Sequence, residues 1–188
     1  MNFRKKNIVA KLLIIVIVTL VIVSCSTKKN NFVNRKYHNT TAKYNGYFNG
    51  NESLKAGIKK LEENHKDDFS EIIPVFKTGD LAKNQTIHPY MNKAIEKGSI
   101  VIQRHSMNIR GKEHNKWIDD NYFMIGKSYF YKGEFDEAIK TFNYIKETYK
   151  RNPLKYDAAL WLARCFSEKE DYVAAEMELD QLQTDRKF

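Results

Sequence analysis

Cys25 is the residue whose type and setting point most directly to chemistry. Residues 1–11 contain four bases and no acid, an apolar run follows at 12–23, and Ser24 and Cys25 come directly after it. A basic segment, a short apolar run and a small residue, in this order, are typical of a bacterial secretory signal. A thiol at the end of such a signal is the acceptor for diacylation in bacterial lipoproteins. The sequence therefore predicts a signal peptide over residues 1–24 and lipidation of Cys25.

The length of the apolar run separates this interpretation from its alternative, a short uncleaved membrane anchor with an incidental cysteine. As a helix the run would cover about 18 Å, which is less than the ~30 Å hydrocarbon core of a bilayer. Residues 26–31 are polar and turn-prone, as a flexible tether requires, and we predict a tether over residues 25–36. After removal of the signal, 28 bases and 23 acids would remain, a net charge of +5. With Cys25 lipidated, Cys165 could form no intramolecular disulfide.

The other potentially reactive side chains form no recognisable site. The five histidines lack the i, i+4 spacing and the cysteine partners of a zinc site: His38, His65, His88, His105 and His114. No phosphate-binding loop, nucleophile elbow or HExxH motif is present. The bases alternate with acids and form no continuous stripe, which argues against nucleic-acid binding. We therefore predict no catalytic residue, metal, cofactor or small-molecule substrate.

Residues 37–115 are predicted to form a degenerate, repeat-like helical region. Leu54, Ile58 and Leu61 recur at intervals of four and three, which indicates a helix from Glu52 to about His65. The stretch 49–51 (NGN) predicts a turn before this helix. The aromatic residues Tyr44, Tyr47 and Phe48 would then line a facing helix, with a strand as the alternative. Residues 67–85 are predicted to be a connection, 89 onward a helix, and 107–115 a loop.

Residues 116–188 contain two copies of the tetratricopeptide (TPR) pattern of large and small side chains. The predicted packing residues of the first copy are Tyr122, Ile125, Gly126, Tyr129, Ala138 and Phe142. Those of the second copy are Leu162, Ala163, Phe166, Ala175 and Leu179, each 37 residues after its counterpart. Because the usual period is about 34, the extra residues are predicted between the repeats, around 151–156. An arbitrary helical bundle is the alternative.

The predicted fold class is all-α: an N-terminal signal or anchor helix followed by TPR-like antiparallel helical hairpins, an α-solenoid. Only three prolines and eight glycines occur in 188 residues, which favours helix. Small residues at Gly126 and Ala138 would let paired helices approach closely. A repeat array needs neighbours and a polar cap, and no capping helix follows the second copy. We therefore expect either a longer protein or dependence on a partner.

The order of these features resembles the SprE/PorW family of TPR lipoproteins, which belong to the type IX secretion and gliding machinery of the Bacteroidetes lineage. The resemblance spans essentially the whole chain after the signal. Because family members are several times longer, the resemblance implies that this chain corresponds to an N-terminal portion. The segments that carry it are 25–30 (CSTKKN), 37–50 (YHNTTAKYNGYFNG), 67–69 (DDF), 73–76 (IPVF), 101–107 (VIQRHSM) and 116–120 (KWIDD).

The resemblance implies an outer-membrane-anchored, periplasm-facing scaffold that binds protein components of the secretion and motility machinery. Asn121, Lys127 and Tyr131, on the first helix of the first repeat, are the candidate partner-binding residues. A lipoprotein accessory subunit of outer-membrane protein assembly is the alternative from the same class. An enzyme of cell-wall metabolism with a TPR docking module is the alternative from another class, and no motif supports it.

Overall fold

The computed structural model describes residues 26–66, 69–70 and 85–185. The predicted signal peptide, Cys25 and most of the predicted connection over 67–85 lie outside the described residues. Seven α-helices and one two-stranded hairpin follow one another in the described parts. The helices are α1 (Phe32–Thr41), α2 (Phe48–Asn64), α3 (His88–His105), α4 (Ile118–Tyr131), α5 (Phe135–Thr148), α6 (Leu154–Glu168) and α7 (Tyr172–Thr184).

The first two helices form one continuous helical segment. The side chain of Asn31 accepts a hydrogen bond from the backbone N–H of Asn34 and caps the start of α1. A π-helical stretch, Ala42–Tyr47, joins α1 to α2 without a break. The predictions of a turn at 49–51, and of a hairpin or a strand before it, are therefore wrong. Instead, Tyr44 and Phe48 lie exposed on the outer side of this long segment.

Close packing at the glycines on the inner side of the first segment compensates for their low helix propensity. Gly46, Gly50 and Gly57 face α3 and α4, where an added Cβ would collide with neighbouring side chains. Gly98 of α3 faces Ile125 of α4 in the same way. Glycine costs a helix up to about 1 kcal/mol relative to alanine. Here that cost is offset because the missing side chains let the helices pack closely.

A β-hairpin separates α3 from the repeats, where the sequence predicted only a loop. Its strands are β1 (Asn108–Ile109) and β2 (Lys112–Glu113), paired antiparallel. Arg110 and Gly111, with φ angles of 54° and 76°, form the two-residue turn. The carboxylate of Glu113 accepts hydrogen bonds from the Ser106 hydroxyl and from the backbone N–H of Met107, His114 and Asn115.

The second half of the chain is a series of helix pairs. Each helix from α2 to α7 packs on the next one described. Turns of three residues join α4 to α5 and α6 to α7, which makes each pair antiparallel. The longer connection between the repeats runs from Tyr149 to Pro153, slightly before the predicted 151–156. In the described parts, no helix is long and apolar enough to cross a membrane.

Candidate functional site

Alternate helices line one face of the series. We call α2, α4 and α6 the A helices, and α3, α5 and α7 the B helices. The A helices contact one another along the series, whereas no comparable backbone contact joins successive B helices among the described residues. The B helices α5 and α7 are instead bridged by the Lys146–Glu178 ion pair, with Nζ and Oε2 2.6 Å apart. Because the A helices lie closer together, their face is the concave one.

An aromatic cluster lies between the A helices of the two repeats. The ring of Trp161 on α6 is 5.2 Å from that of Phe130 and 5.9 Å from that of Tyr131, both on α4. The ring of Phe123 lies 6.3 Å away and meets Trp161 edge-on. Such geometry is the favourable arrangement for aromatic pairs. The tryptophan therefore joins the two repeats through their A helices.

Two positively charged side chains lie over the ring of the same tryptophan. Nζ of Lys127 lies 5.0 Å from the Trp161 ring centre, and the guanidinium carbon of Arg164 lies 4.4 Å from it. Cation–π contacts of this kind hold the charges over the ring faces. Burial lowers the pKa of Lys127, the nearby Arg164 charge lowers it further, and Asp157 opposes them. We define the Trp161 cluster as Trp161, Phe123, Phe130, Tyr131, Lys127 and Arg164.

The structure corrects the prediction of partner-binding residues. Asn121 is buried, and its side-chain amide donates a hydrogen bond to the Trp117 carbonyl. Tyr131 is also buried, 9% exposed, within the Trp161 cluster. Neither side chain is presented at the surface, because neighbouring helices cover that side of α4. Of the three predicted residues, Lys127 alone is partly exposed, and its role in binding stays a prediction.

The predicted packing residues of the first repeat meet between α4 and α5. A Cβ on Gly126 would lie 2.7 Å from Cε1 of Phe142, which is fully buried. Ala138 is fully buried as well, and Ile125 is 6% exposed. Tyr122 packs on Tyr144 at 4.6 Å between ring centres, and burial raises its pKa to about 12. Tyr129 is partly buried against the same core.

The corresponding residues of the second repeat differ from one another in how deeply they are buried. Leu162, Ala163 and Ala175 are buried, and Phe166 is partly buried against the core. Leu179, which stands where Phe142 stands in the first repeat, is 41% exposed. In the part of the chain that the structure describes, no helix packs over that side of α7. Cys165 is buried on α6, and burial raises the pKa of its thiol to about 12.

The start of α4 carries two carboxyl groups in a partly apolar setting. Burial raises the pKa of Asp120 to about 6, and the charge of Asp119 adds to this effect. Burial also raises the pKa of Asp119, whose carboxylate accepts a hydrogen bond from the side-chain amide of Asn152. That bond ties the start of α4 to the connection between the repeats.

A cavity of about 840 Å³ opens between the β-hairpin and this connection. Tyr122, Tyr144 and Tyr149 line its inner wall. Four exposed bases lie at its rim: Lys112, Lys116, Lys150 and Arg151. Its size is within the range of ligand pockets, ~300–1,000 Å³. It lies outside the Trp161 cluster.

Two of the five histidines come together although the sequence separates them by 67 residues. Nδ1 of His38 on α1 and Nδ1 of His105 on α3 are 2.9 Å apart. Burial lowers the pKa of both imidazoles. Neutral rings allow one nitrogen to donate and the other to accept a hydrogen bond. Among the described residues, no group of three potential metal ligands occurs.

Sequence reasoning missed the residues that dominate the concave face, Phe123, Trp161 and Arg164. Their positions in the repeat could have identified them, because each lies on an A helix one or two residues from a predicted packing position. The pattern of large and small residues reports the contact between helices of a pair. It does not report which side chains meet between neighbouring pairs.

A family model described as tetratricopeptide repeat matches residues 120–151. The match covers nearly all of α4, all of α5 and the start of the connection to α6. It confirms a TPR repeat in this chain, and such a repeat indicates a scaffold for protein–protein interaction. No curated protein matches the sequence.

Proposed function

We propose that this protein is an outer-membrane lipoprotein whose TPR repeats face the periplasm and bind protein components of the type IX secretion and gliding machinery. The observation that carries the binding role is the Trp161 cluster on the concave face of two stacked repeats. The motifs that resemble the SprE/PorW family support the assignment to this machinery. In this proposal the protein holds its partners and catalyses no reaction.

The composition of the Trp161 cluster suits a protein partner. Tryptophan and arginine are among the residues that most often dominate binding energy in protein interfaces, and Trp161 and Arg164 are the partly exposed members of this kind in the cluster. The rigid rings offer contact area at low cost in conformational entropy. Lys127 and Arg164 place two positive charges over the Trp161 ring. A partner segment with an apolar or aromatic anchor beside a carboxylate would match both features.

We predict that Lys127→Ala weakens partner capture about tenfold, as expected for truncation of a hot-spot side chain worth ~1–2 kcal/mol. The measurement is quantitative mass spectrometry of proteins that co-purify with the full chain from outer membranes. Lys140→Ala is the matched control, because Lys140 is exposed on the B helix α5 and pairs with neighbouring Glu137. The control should retain full capture.

The identity of the captured proteins decides between the two scaffold hypotheses. Recovery of secretion or motility components supports the proposal. Recovery of barrel-assembly proteins in their place would favour an accessory subunit of outer-membrane protein assembly. Equal partner capture by the Lys127→Ala and Lys140→Ala variants would show that the Trp161 cluster does not bind the partner.

The lipid anchor rests on the order of charge, apolar run, small residue and thiol in residues 1–25. We predict that the protein extracted from membranes has lost residues 1–24 and carries diacylglycerol on Cys25. Intact mass spectrometry measures both changes together. Cys25→Ser is the control and should keep the uncleaved mass. A wild-type chain of unprocessed mass would contradict the anchor and leave the scaffold role to the capture experiment.

A further inference from the structure

The outward side of the first helical segment carries a row of exposed apolar side chains. We call this row the aromatic stripe. Its members are between 45% and 72% exposed: Phe32, Val33, Tyr37, Tyr44 and Phe48. From Val33 onward they follow at intervals of four, seven and four, which places them along one side of a helix. A contiguous exposed apolar row of this kind usually marks an interaction surface.

The inward side of the same segment is already occupied, so the stripe is not needed for the fold. Gly46 and Gly50 face α3 and α4 with no room for a larger side chain. His38 and Ala42 are buried on that inward side as well. No other described element covers Tyr44 or Phe48, which remain more than half exposed.

The charge around the stripe has a single sign. Residues 26–51 contain five bases and no acid: Lys28, Lys29, Arg35, Lys36 and Lys43. Within the described part of the chain, none of these five forms an ion pair. The pattern ends at Glu52. Beyond it the exposed side of α2 carries both signs, as in the Lys55–Glu52 and Lys59–Glu63 pairs.

We propose that residues 28–48 lie along an anionic phospholipid bilayer, with the aromatic stripe in the interface and the exposed bases Lys28, Lys29 and Lys36 at the headgroups. A helix with aromatic residues on one side and bases beside them is the kind that binds in the plane of such a surface. Aromatic rings prefer the headgroup level. Bases near an anionic surface are attracted by its potential.

Charge complementarity favours lipid over a protein as the occupant. A protein partner would have to place matched acids opposite a run of 16 residues, Lys28 to Lys43, that carries five bases and no acid. An anionic bilayer offers negative charge along its whole surface without such matching. The inference goes beyond the proposed scaffold function and does not require acylation of Cys25, because the charge and the exposed rings act on their own.

The test measures how deeply the stripe lies in a membrane. The full chain is reconstituted into vesicles of phosphatidylcholine and phosphatidylglycerol with brominated acyl chains, which quench nearby tryptophan. Tyr44→Trp reports from the stripe. Lys140→Trp reports from the exposed side of α5, outside the first helical segment. The emission of Trp161 and Trp117, measured in the parent chain, is subtracted from both.

We expect quenching at position 44 to be several-fold greater than at position 140, and to fall to the level of position 140 when Lys28, Lys29 and Lys36 are replaced by Glu. Circular dichroism checks that the variants remain helical. Equal quenching at positions 44 and 140, with the chain still on the vesicles, would overturn the proposal and leave the lipid anchor and the scaffold role intact. Undiminished quenching after charge reversal would also overturn it, because charge complementarity carries the inference.

Discussion

Phe142→Ala is expected to destabilise the protein by about 3–5 kcal/mol, the usual cost of removing a buried phenylalanine side chain. Phe142 is fully buried between the two helices of the first repeat. Its ring lies 5.6 Å from that of Phe123 and 5.9 Å from that of Trp161. The substitution would leave a cavity that these rigid rings cannot fill. Urea unfolding followed by far-ultraviolet circular dichroism measures the loss.

Leu179→Ala is the matched control for this prediction. Leu179 occupies the same position in the second repeat, 37 residues later, yet it is 41% exposed. We expect the free energy of unfolding to fall by about 1 kcal/mol or less. The Leu179 side chain is already partly exposed, so its removal loses little buried apolar surface. Equal costs at the two positions would contradict the difference in burial between the repeats.

Gly46→Ala is expected to destabilise the protein by about 1–3 kcal/mol, the typical cost of overpacking. An added Cβ would overlap Cγ2 of Val101, which is buried on α3. Valine is branched at Cβ and cannot readily turn its methyl group away. If packing did not matter, the same substitution in a helix would stabilise it by about 0.5–1 kcal/mol. A lower free energy of unfolding for Gly46→Ala would therefore show that the contact with Val101 outweighs the higher helix propensity of alanine. A higher free energy of unfolding would show the opposite.

A double-mutant cycle with Val101→Ala tests the same contact from the other side. Val101→Ala removes the methyl group that an alanine at position 46 would strike. We expect the double variant to be more stable than the sum of the single changes predicts, by about 1 kcal/mol or more. Additive free energies of unfolding would show that Gly46 and Val101 do not constrain each other.

The repeats could be predicted from the sequence because their signal is local. Gly126 and Ala138 lie within one helical hairpin, and their small size has meaning only where two helices cross closely. The aromatic and aliphatic residues at fixed distances from them repeat after 37 residues. A repeated register of this kind fixes the helix pairs, and the family match to residues 120–151 confirms the first of them as a TPR repeat.

The first helical segment could not be predicted from the same kind of signal. Asn49 and Gly50 have low helix propensity, and a turn is the ordinary interpretation of such residues. In the structure, Gly50 faces Met124 and Lys97, where a close approach of helices offsets its low propensity. These two residues are distant in sequence, so nothing near Gly50 indicates that the contact exists.

By itself the sequence determined that the chain is helical, that its second half carries TPR repeats, and that a lipid anchor is expected at Cys25. Tertiary structure alone decided that the concave face is dominated by Trp161, that Asn121 and Tyr131 are buried, and that His38 meets His105. The physical reason is that periodic patterns record contacts within a hairpin. Exposure and contacts between hairpins depend on how distant helices pack, and that packing appears only when the chain is folded.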